Sequence, residues 1–157
     1  MEIERKYLVD ASALPFEPEH FPRRHIEQGY LCTEPVVRIR QDNEDYILTY
    51  KSKGLMVREE YNLPLTKEAY EHLKPKVDGR MIIKDRYVIP FSEVGDLPDA
   101  DLWIELDFFL EDLEGLVLAE VEFPDEDSAN AFQAPAWFGE DVTYSSKYHN
   151  STLSKRE

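Results

Sequence analysis

The chain has almost no cysteine. Cys32 stands alone among 157 residues, so an intrachain disulfide is excluded, and an isolated thiol reads as buried and inert. No apolar run approaches the ~18 residues a membrane helix needs, and the N-terminus carries no apolar targeting segment. These two gaps predict a cytoplasmic protein with no membrane partner. Basic charge is also short: 18 Lys and Arg face 33 Asp and Glu, a net charge of −15. A surface this acidic argues against nucleic acid as a partner. His20, His25, His72 and His149 lack metal-ligand spacing and read as structural or surface residues. There is no Gly-rich phosphate loop of the Walker type, no Ser-His-Asp or Cys-His signature, and no internal repeat.

What is present is a folded composition, with 42% hydrophobic and 12% aromatic residues. The length suits one domain, 1–157, with room for a core or a closed barrel. Short period-2 segments dominate. Strands are expected near 2–9, 26–31, 36–40, 46–53, 57–63, 81–89, 102–109 and 116–123. Gly29 suits a bulge, 41–45 a hairpin turn, Asp78-Gly79 a turn, and 92–101 a loop. Thr66 and Pro75 bracket a helix at 66–74. Short helices are expected before Gln133 and along the tail from 143 to 155. Hairpin-joined strands imply an antiparallel sheet, and eight of them can close into a barrel with flanking helices. The fold class is mainly β, of the α+β kind.

The charges sit at period 2 on seven of these strands. They are Glu2, Glu4 and Lys6; Arg38 and Arg40; Lys51 and Lys53; Arg58 and Glu60; Lys84 and Arg86; Glu105 and Asp107; Glu120 and Glu122. The opposite parity is mostly apolar, as at Leu102, Ile104, Leu106 and Phe108. A dry-cored barrel would point these charges outward. Yet the strands sort by sign, basic at 38/40, 51/53 and 84/86, acidic at 105/107 and 120/122. The helices also need an apolar sheet face to cover. An inverted barrel meets both demands, with apolar groups outside under helices and charges around a wet lumen. Such a lumen must be hydrated or hold a highly charged ligand. A phosphate chain with a divalent metal fits, because Arg and Lys bind phosphate oxygens and carboxylates bind Mg²⁺ or Mn²⁺.

Glu2-Ile-Glu-Arg-Lys6, Gln28-Gly-Tyr-Leu31, Arg38-Ile-Arg40, Thr49-Tyr-Lys51, Arg58-Glu-Glu-Tyr61, Lys84-Asp-Arg-Tyr87, Glu105-Leu-Asp107, Ala119-Glu-Val-Glu-Phe123 and the stretch 137–143 occur in that order. In this the chain resembles the CYTH, or triphosphate tunnel metalloenzyme, superfamily, most closely its small bacterial members that hydrolyse inorganic tripolyphosphate. The resemblance implies an eight-stranded antiparallel tunnel and a Mg²⁺- or Mn²⁺-dependent hydrolase of a small polyphosphate, with a homodimer left open. It implies a catalytic set of Glu2, Glu4 and Lys6. Phosphate would be held by Lys6, Arg38, Arg40, Lys51, Arg58, Lys84 and Arg86, with Lys53, Lys76 and Lys147 as further cations. Metal or water would be held by Glu2, Glu4, Glu60, Glu105, Asp107, Glu120 and Glu122. Tyr30 is expected at the tunnel mouth or in packing.

Two departures stand out against that family pattern: Asn62 where a second acid is common, and Ser145 and Lys147 where an Asp and an Arg usually precede Tyr148. Other readings stay open. They are a nucleoside or thiamine triphosphatase, an adenylyl cyclase, a non-catalytic polyphosphate binder, and a carrier of an apolar ligand. Sign-sorted charges argue against the last. The first strand, with both signs, is expected where the acidic and basic walls meet.

Overall fold

A computed structural model describes residues 2–94 and 101–155. Its sheet is antiparallel throughout. The strands are β1 (Glu2–Val9), β2 (Arg23–Thr33), β3 (Val36–Asp42), β4 (Asp45–Lys51), β5 (Val57–Arg58), β6 (Glu60–Pro64), β7 (Asp78–Pro90), β8 (Trp103–Phe109), β9 (Val117–Glu122) and β10 (Phe138–Asp141). They run in the order β10-β1-β9-β8-β7-β2-β3-β4-β6, and β5 pairs with β1.

Only Glu59 separates β5 from β6, so residues 57–64 act as one interrupted strand. Its first half pairs with β1 (Glu2↔Arg58) and its second with β4 (Lys51↔Glu60). Counted this way, eight runs form the wall, as the period-2 pattern predicts. The closure is thin, resting on two residue pairs between β1 and β5. The short β10 was not foreseen. It lies beside the far end of β1, with Tyr7↔Asp141 and Val9↔Phe138.

Local chemistry sets the registers. Asn43 takes φ of 53° in the tight β3–β4 turn, a conformation Asn tolerates better than most residues. The expected bulge falls at Gly29, where β2 shifts register against β7. A Cβ there would lie 2.5 Å from Met81 Sδ and 2.7 Å from Val77 Cγ1, so any other residue would have to displace them. The turn expected at Asp78-Gly79 is instead part of β7. Gly79 has φ of 69°, and the carbonyl of Ser154 would sit 2.1 Å from any Cβ it carried. The strand therefore kinks there to let the tail pass.

Helix α1 (Lys67–Leu73) begins where Thr66 Oγ1 accepts the Ala69 amide at 3.0 Å. Its Tyr70 is fully buried, stacks near Tyr46 and donates to Glu27 Oε1 at 2.8 Å. Helix α2 (Phe91–Val94) occupies the start of the segment expected as a loop, whose residues 95–100 lie outside the described part. Helix α3 (Glu126–Ala131) is capped by Asp125. The tail is less helical than expected, with a 3-10 turn at Ser146–Tyr148 and the single turn α4 (Asn150–Leu153). Among the described residues no helix is long and apolar enough to cross a membrane.

Strand parity divides the barrel wall. The outward faces of β1, β8 and β9 supply Ile3, Tyr7, Ile104, Leu106, Ala119 and Val121 to the main core, beneath α2 and α3. Burying each large apolar side chain contributes about 1.5–3 kcal/mol. A second cluster has the inward parity. Ile82, Phe109 and Leu118 extend the same faces as Lys84, Asp107 and Glu120, and they pack against Val142, Tyr148 and Leu153 of the tail. One end of the lumen is therefore filled by an apolar plug, and its charged band lies beyond that plug. Cys32 is half-buried rather than buried, because it sits beside the bulge at the end of β2.

Candidate active site

The order of strands sorts the charges into two walls. Acidic side chains come from the contiguous strands β1, β9 and β8. Basic ones come from β7, β3, β4 and β5, with β2 between β7 and β3. The walls meet twice. At β1, Lys6 lies opposite Glu120 on one side while Glu2 lies opposite Arg58 on the other. At β7–β8, Arg86 lies opposite Asp107.

Both seams are zipped by ion pairs. Lys51 Nζ reaches Glu2 at 2.9 Å, and Lys6 Nζ reaches Glu120 at 3.4 Å. Arg86 grips Asp107 with Nε at 2.7 Å and Nη2 at 2.9 Å, and Glu105 with Nη1 at 2.8 Å. Lys84, with no exposed surface, sits 2.8 Å from Asp107 and beneath the Phe109 ring. Burial works to raise the carboxyls of Glu2 and Glu120, but these cations outweigh it. Glu2 is lowered by Lys51, and Glu120 is held well below the usual range by Lys6, Arg86 and Lys84.

Between the seams lies a cavity with about 530 Å³ of empty space, counting its open mouth. From the basic wall Arg38, Arg40, Lys51, Arg58 and Arg86 line it; from the acidic wall Glu2, Glu4, Glu105 and Glu120, with Lys6 and Glu60. Tyr30 and Val36 line it too, on the side of the apolar plug.

Three of these cations have no carboxylate partner among the described residues. Arg38 is 3% exposed, its Nε makes no hydrogen bond, and its Nη2 meets only Thr49 Oγ1 at 3.4 Å. Arg40 gives its Nε to Gln28 Oε1 at 2.8 Å. Arg58 gives its Nε to the Ser52 carbonyl at 3.3 Å. Burial, then the neighbouring Arg38 and Arg86, push the Arg40 guanidinium down to about 9. Burial likewise pushes the Lys84 ammonium down to about 8, against the pull of Asp107. Buried cations without counter-charge are unfavourable unless an anion joins them.

On the opposite side Glu4 faces the cavity with no ion-pair partner. Burial, then Glu120 and Glu2, raise its carboxyl well above the ordinary value. Glu122, outside this cavity, is raised by partial burial and by Glu2, Glu105 and Glu60. Carboxylates that repel one another around open space are the donor set a hard divalent cation relieves. No three His, Cys, Asp or Glu side chains converge at ligand distance among the described residues. Glu2, Glu105 and Glu120 are drawn aside by the cations they pair with, so the set fits such an ion in kind without forming a ready cage.

Other expected site residues lie off this cavity. Asp107 and Lys84 stand behind its lining as a buried pair. Glu122 is exposed and lines a groove with Trp103 and Phe123. Lys76 is exposed in the turn after α1, and Lys147 is exposed with its ammonium over the Tyr148 ring. Lys53 is exposed and lines a neighbouring pocket. Neither departure from the family pattern touches the lining. Asn62 is exposed and accepts from Thr49 Oγ1, and Ser145 is half-buried in the tail.

Sequence reading missed His149, Asn150 and Ser151, which the tail brings to the cavity. His149 is neutral at pH 7, because burial and then Lys6 and Arg58 push its imidazole down to about 4. No spacing signals this. The tail is held there by the Val142 amide on the Lys6 carbonyl, by Lys6 Nζ on the Tyr148 carbonyl, and by Arg80, which holds the carbonyls of Leu153 and Ser154.

A barrel with unpaired guanidiniums on one inner wall and crowded carboxylates on the other carries the charges that a polyanion and a cation would complement. The chain belongs to the CYTH domain family, whose model matches residues 1–157. It is 42% identical to an inorganic triphosphatase of Nitrosomonas europaea over 98% of this chain and 96% of that one. An inorganic triphosphatase of Acetivibrio thermocellus is 36% identical, over 98% and 93%. Among solved structures, an inorganic triphosphatase 38% identical over 100% of this chain and 96% of its own superposes with a TM-score of 0.70. A Bacillus halodurans chain, 17% identical with a TM-score of 0.53 over 83% and 84%, shares the fold.

Proposed function

We propose that this protein hydrolyses inorganic tripolyphosphate with the help of Mg²⁺ or Mn²⁺, acting on a free small polyanion in the cytoplasm. The observation that carries the reading is the pair Arg38 and Arg40, guanidiniums on one strand, turned into a cavity and lacking a carboxylate partner among the described residues. Phosphate oxygens supply the missing charge, and guanidinium forks bind them bidentately. Arg58, Lys6 and Lys51 extend the same surface toward β1. Arg86 is already held by Asp107 and Glu105, so it presents a fixed charge at the cavity edge. The names of two curated relatives support the inorganic substrate. So does a lining that among the described residues is dominated by charged groups, with Tyr30 and His149 its rings.

Glu4, with Glu2 and Glu120, would hold a divalent ion, and Glu60 and Glu105 lie on the same cavity. When bound, that ion would neutralise phosphate charge and supply an activated water. The chain's own groups do the rest. The arginines fix the phosphate chain in line, and the apolar plug keeps water out of the far end. No covalent nucleophile is needed. Phosphate release from tripolyphosphate, ATP, pyrophosphate and thiamine triphosphate, with and without Mg²⁺ or Mn²⁺, tests the proposal. Metal-dependent release from tripolyphosphate at least tenfold above the others is expected. Tight binding of tripolyphosphate without turnover in either metal would overturn hydrolysis in favour of a binder.

A further inference from the structure

A second pocket opens beside the lumen, with about 730 Å³ of empty space counting its open side. It shares four lining residues with the central cavity, Val36, Arg58, His149 and Ser151. Those side chains are therefore the partition between the two spaces. Its outer walls are the 52–55 loop and the tail.

The chemistry of this pocket differs from that of the lumen. Lys53, Arg58 and Lys155 are its cations, and Glu34 is its one carboxylate. No carboxylate lies within ion-pair distance of Lys53 or Lys155 among the described residues. The hydroxyls of Ser146, Ser151 and Thr152 also line it and make no side-chain hydrogen bond to another described residue. Among the described residues its lining holds three cations and one carboxylate, with three hydroxyls that bond no other described side chain, on a chain of net charge −15. The loop is held firmly. Ser52 and Glu59 close it with backbone and hydroxyl bonds of 3.0 and 2.8 Å, and Gly54, at φ of 139°, passes too close to the Val57 carbonyl for any side chain. Lys53 is therefore presented from a fixed turn, and Arg58 faces both spaces.

We infer that this pocket is a binding site for inorganic orthophosphate, the ion released in the lumen, and that it lies outside the space tripolyphosphate fills. The inference rests on the proposed hydrolysis for the source of the ion, and on the pocket's own chemistry for the site. Ammonium, guanidinium and hydroxyl groups all donate to phosphate oxygens, and among the described residues a single carboxylate leaves the balance positive.

The test uses the full chain freed of metal with EDTA and saturated with tripolyphosphate, into which orthophosphate is titrated and followed by phosphorus NMR. One orthophosphate is expected to bind beside tripolyphosphate. Lys53→Glu, or separately Lys155→Glu, weakens that binding about tenfold, the size of one charge-assisted hydrogen bond. Lys67→Glu, an equal charge change on α1, leaves it as it was. With metal present, orthophosphate inhibits tripolyphosphate hydrolysis noncompetitively. Purely competitive inhibition, or full orthophosphate affinity in both Lys53→Glu and Lys155→Glu, overturns the site. Failure of the wild-type chain to hydrolyse tripolyphosphate counts against the proposed function instead. The part of the orthophosphate affinity that Lys53→Glu and Lys155→Glu remove still reads the pocket in that case.

Discussion

Lys51 Nζ lies 2.9 and 3.1 Å from the two carboxylate oxygens of Glu2, although their strands are not neighbours. The pair spans the gap that β5 and β6 bridge so thinly, and it ties β4 to β1 where the barrel shuts. Both side chains are about nine-tenths buried. Removing one partner strands the other, at a cost of about 3–5 kcal/mol. Lys51→Ala is therefore expected to lower the unfolding free energy by about that much in urea titration. Glu2→Gln combined with Lys51→Met recovers most of the loss, since neither charge remains. Equal destabilisation in the single and double variants would mean the pair does not hold the seam. The sign with pH follows from the lowered Glu2 carboxyl. Its contribution is present above the ordinary carboxylate range and is lost as pH falls through its folded value.

Arg38 and Arg40 invert that logic. They carry buried charge with no carboxylate partner among the described residues, so the ligand-free fold bears them at a loss. Arg38→Leu and Arg40→Leu are each expected to raise the unfolding free energy by about 1–4 kcal/mol in the absence of phosphate. The same changes raise KM for tripolyphosphate about tenfold to a hundredfold, the loss of a charge-assisted hydrogen bond. Arg40→Lys restores little, because Gln28 fixes the guanidinium through Nε and an ammonium cannot replicate the fork. Variants that are neither more stable nor weaker in KM would remove the main support for the phosphate reading.

Much of this was legible in the chain because alternation in a strand is a hard geometric rule. Two charges flanking one apolar residue, as at Glu105-Leu-Asp107, must share a face, and the sorting of strands by sign, with helices needing an apolar face to cover, then pointed to an inverted barrel. The place of β1 where the walls meet also followed from Glu2, Glu4 and Lys6 standing together. Parity cannot say how far along the lumen a residue sits, or which partner claims it. Asp107 has the right face, yet Lys84 and Arg86 occupy it behind the cavity lining. Lys53 has the parity of Lys51, but the chain leaves the sheet after Lys51 and carries it into the side pocket. His149 was out of reach for a different reason. Its position depends on long-range bonds from Lys6 and Arg80, which leave no local pattern.

Glu4 gives a prediction about metal. In the ligand-free protein its carboxyl holds its proton to higher pH than usual, because burial, Glu120 and Glu2 all oppose ionisation. A divalent ion reverses the local field and expels the proton. Mn²⁺ titrated calorimetrically in buffers of different ionisation enthalpy should show proton release, with affinity rising as pH increases. Glu4→Gln should abolish the release and weaken the ion about tenfold, comparable to losing a ligand's supporting contact. Metal binding that is independent of buffer and pH, in a protein with Glu4 intact, would exclude Glu4 as a ligand.

His149 supplies the acid-side counterpart, and it is measurable without substrate. Its imidazole, pushed down to about 4 by burial and by Lys6 and Arg58, stays neutral in the fold while the unfolded chain takes up a proton near the ordinary value of 6.5. Between those values the unfolded state binds more protons, so stability rises with pH and is lost as pH falls from about 6.5 toward 4. His149→Asn keeps a polar side chain and removes the titration. The expected result is a shallower decline of Tm across that window, with little change above pH 7. Tripolyphosphate should act in the same direction. Its charge beside Lys6 and Arg58 would ease protonation of the imidazole and lift its value, so the bound protein should hold its Tm further into acid than the free one. An unaltered pH profile in His149→Asn would show that the imidazole is not depressed in the fold by burial and these cations.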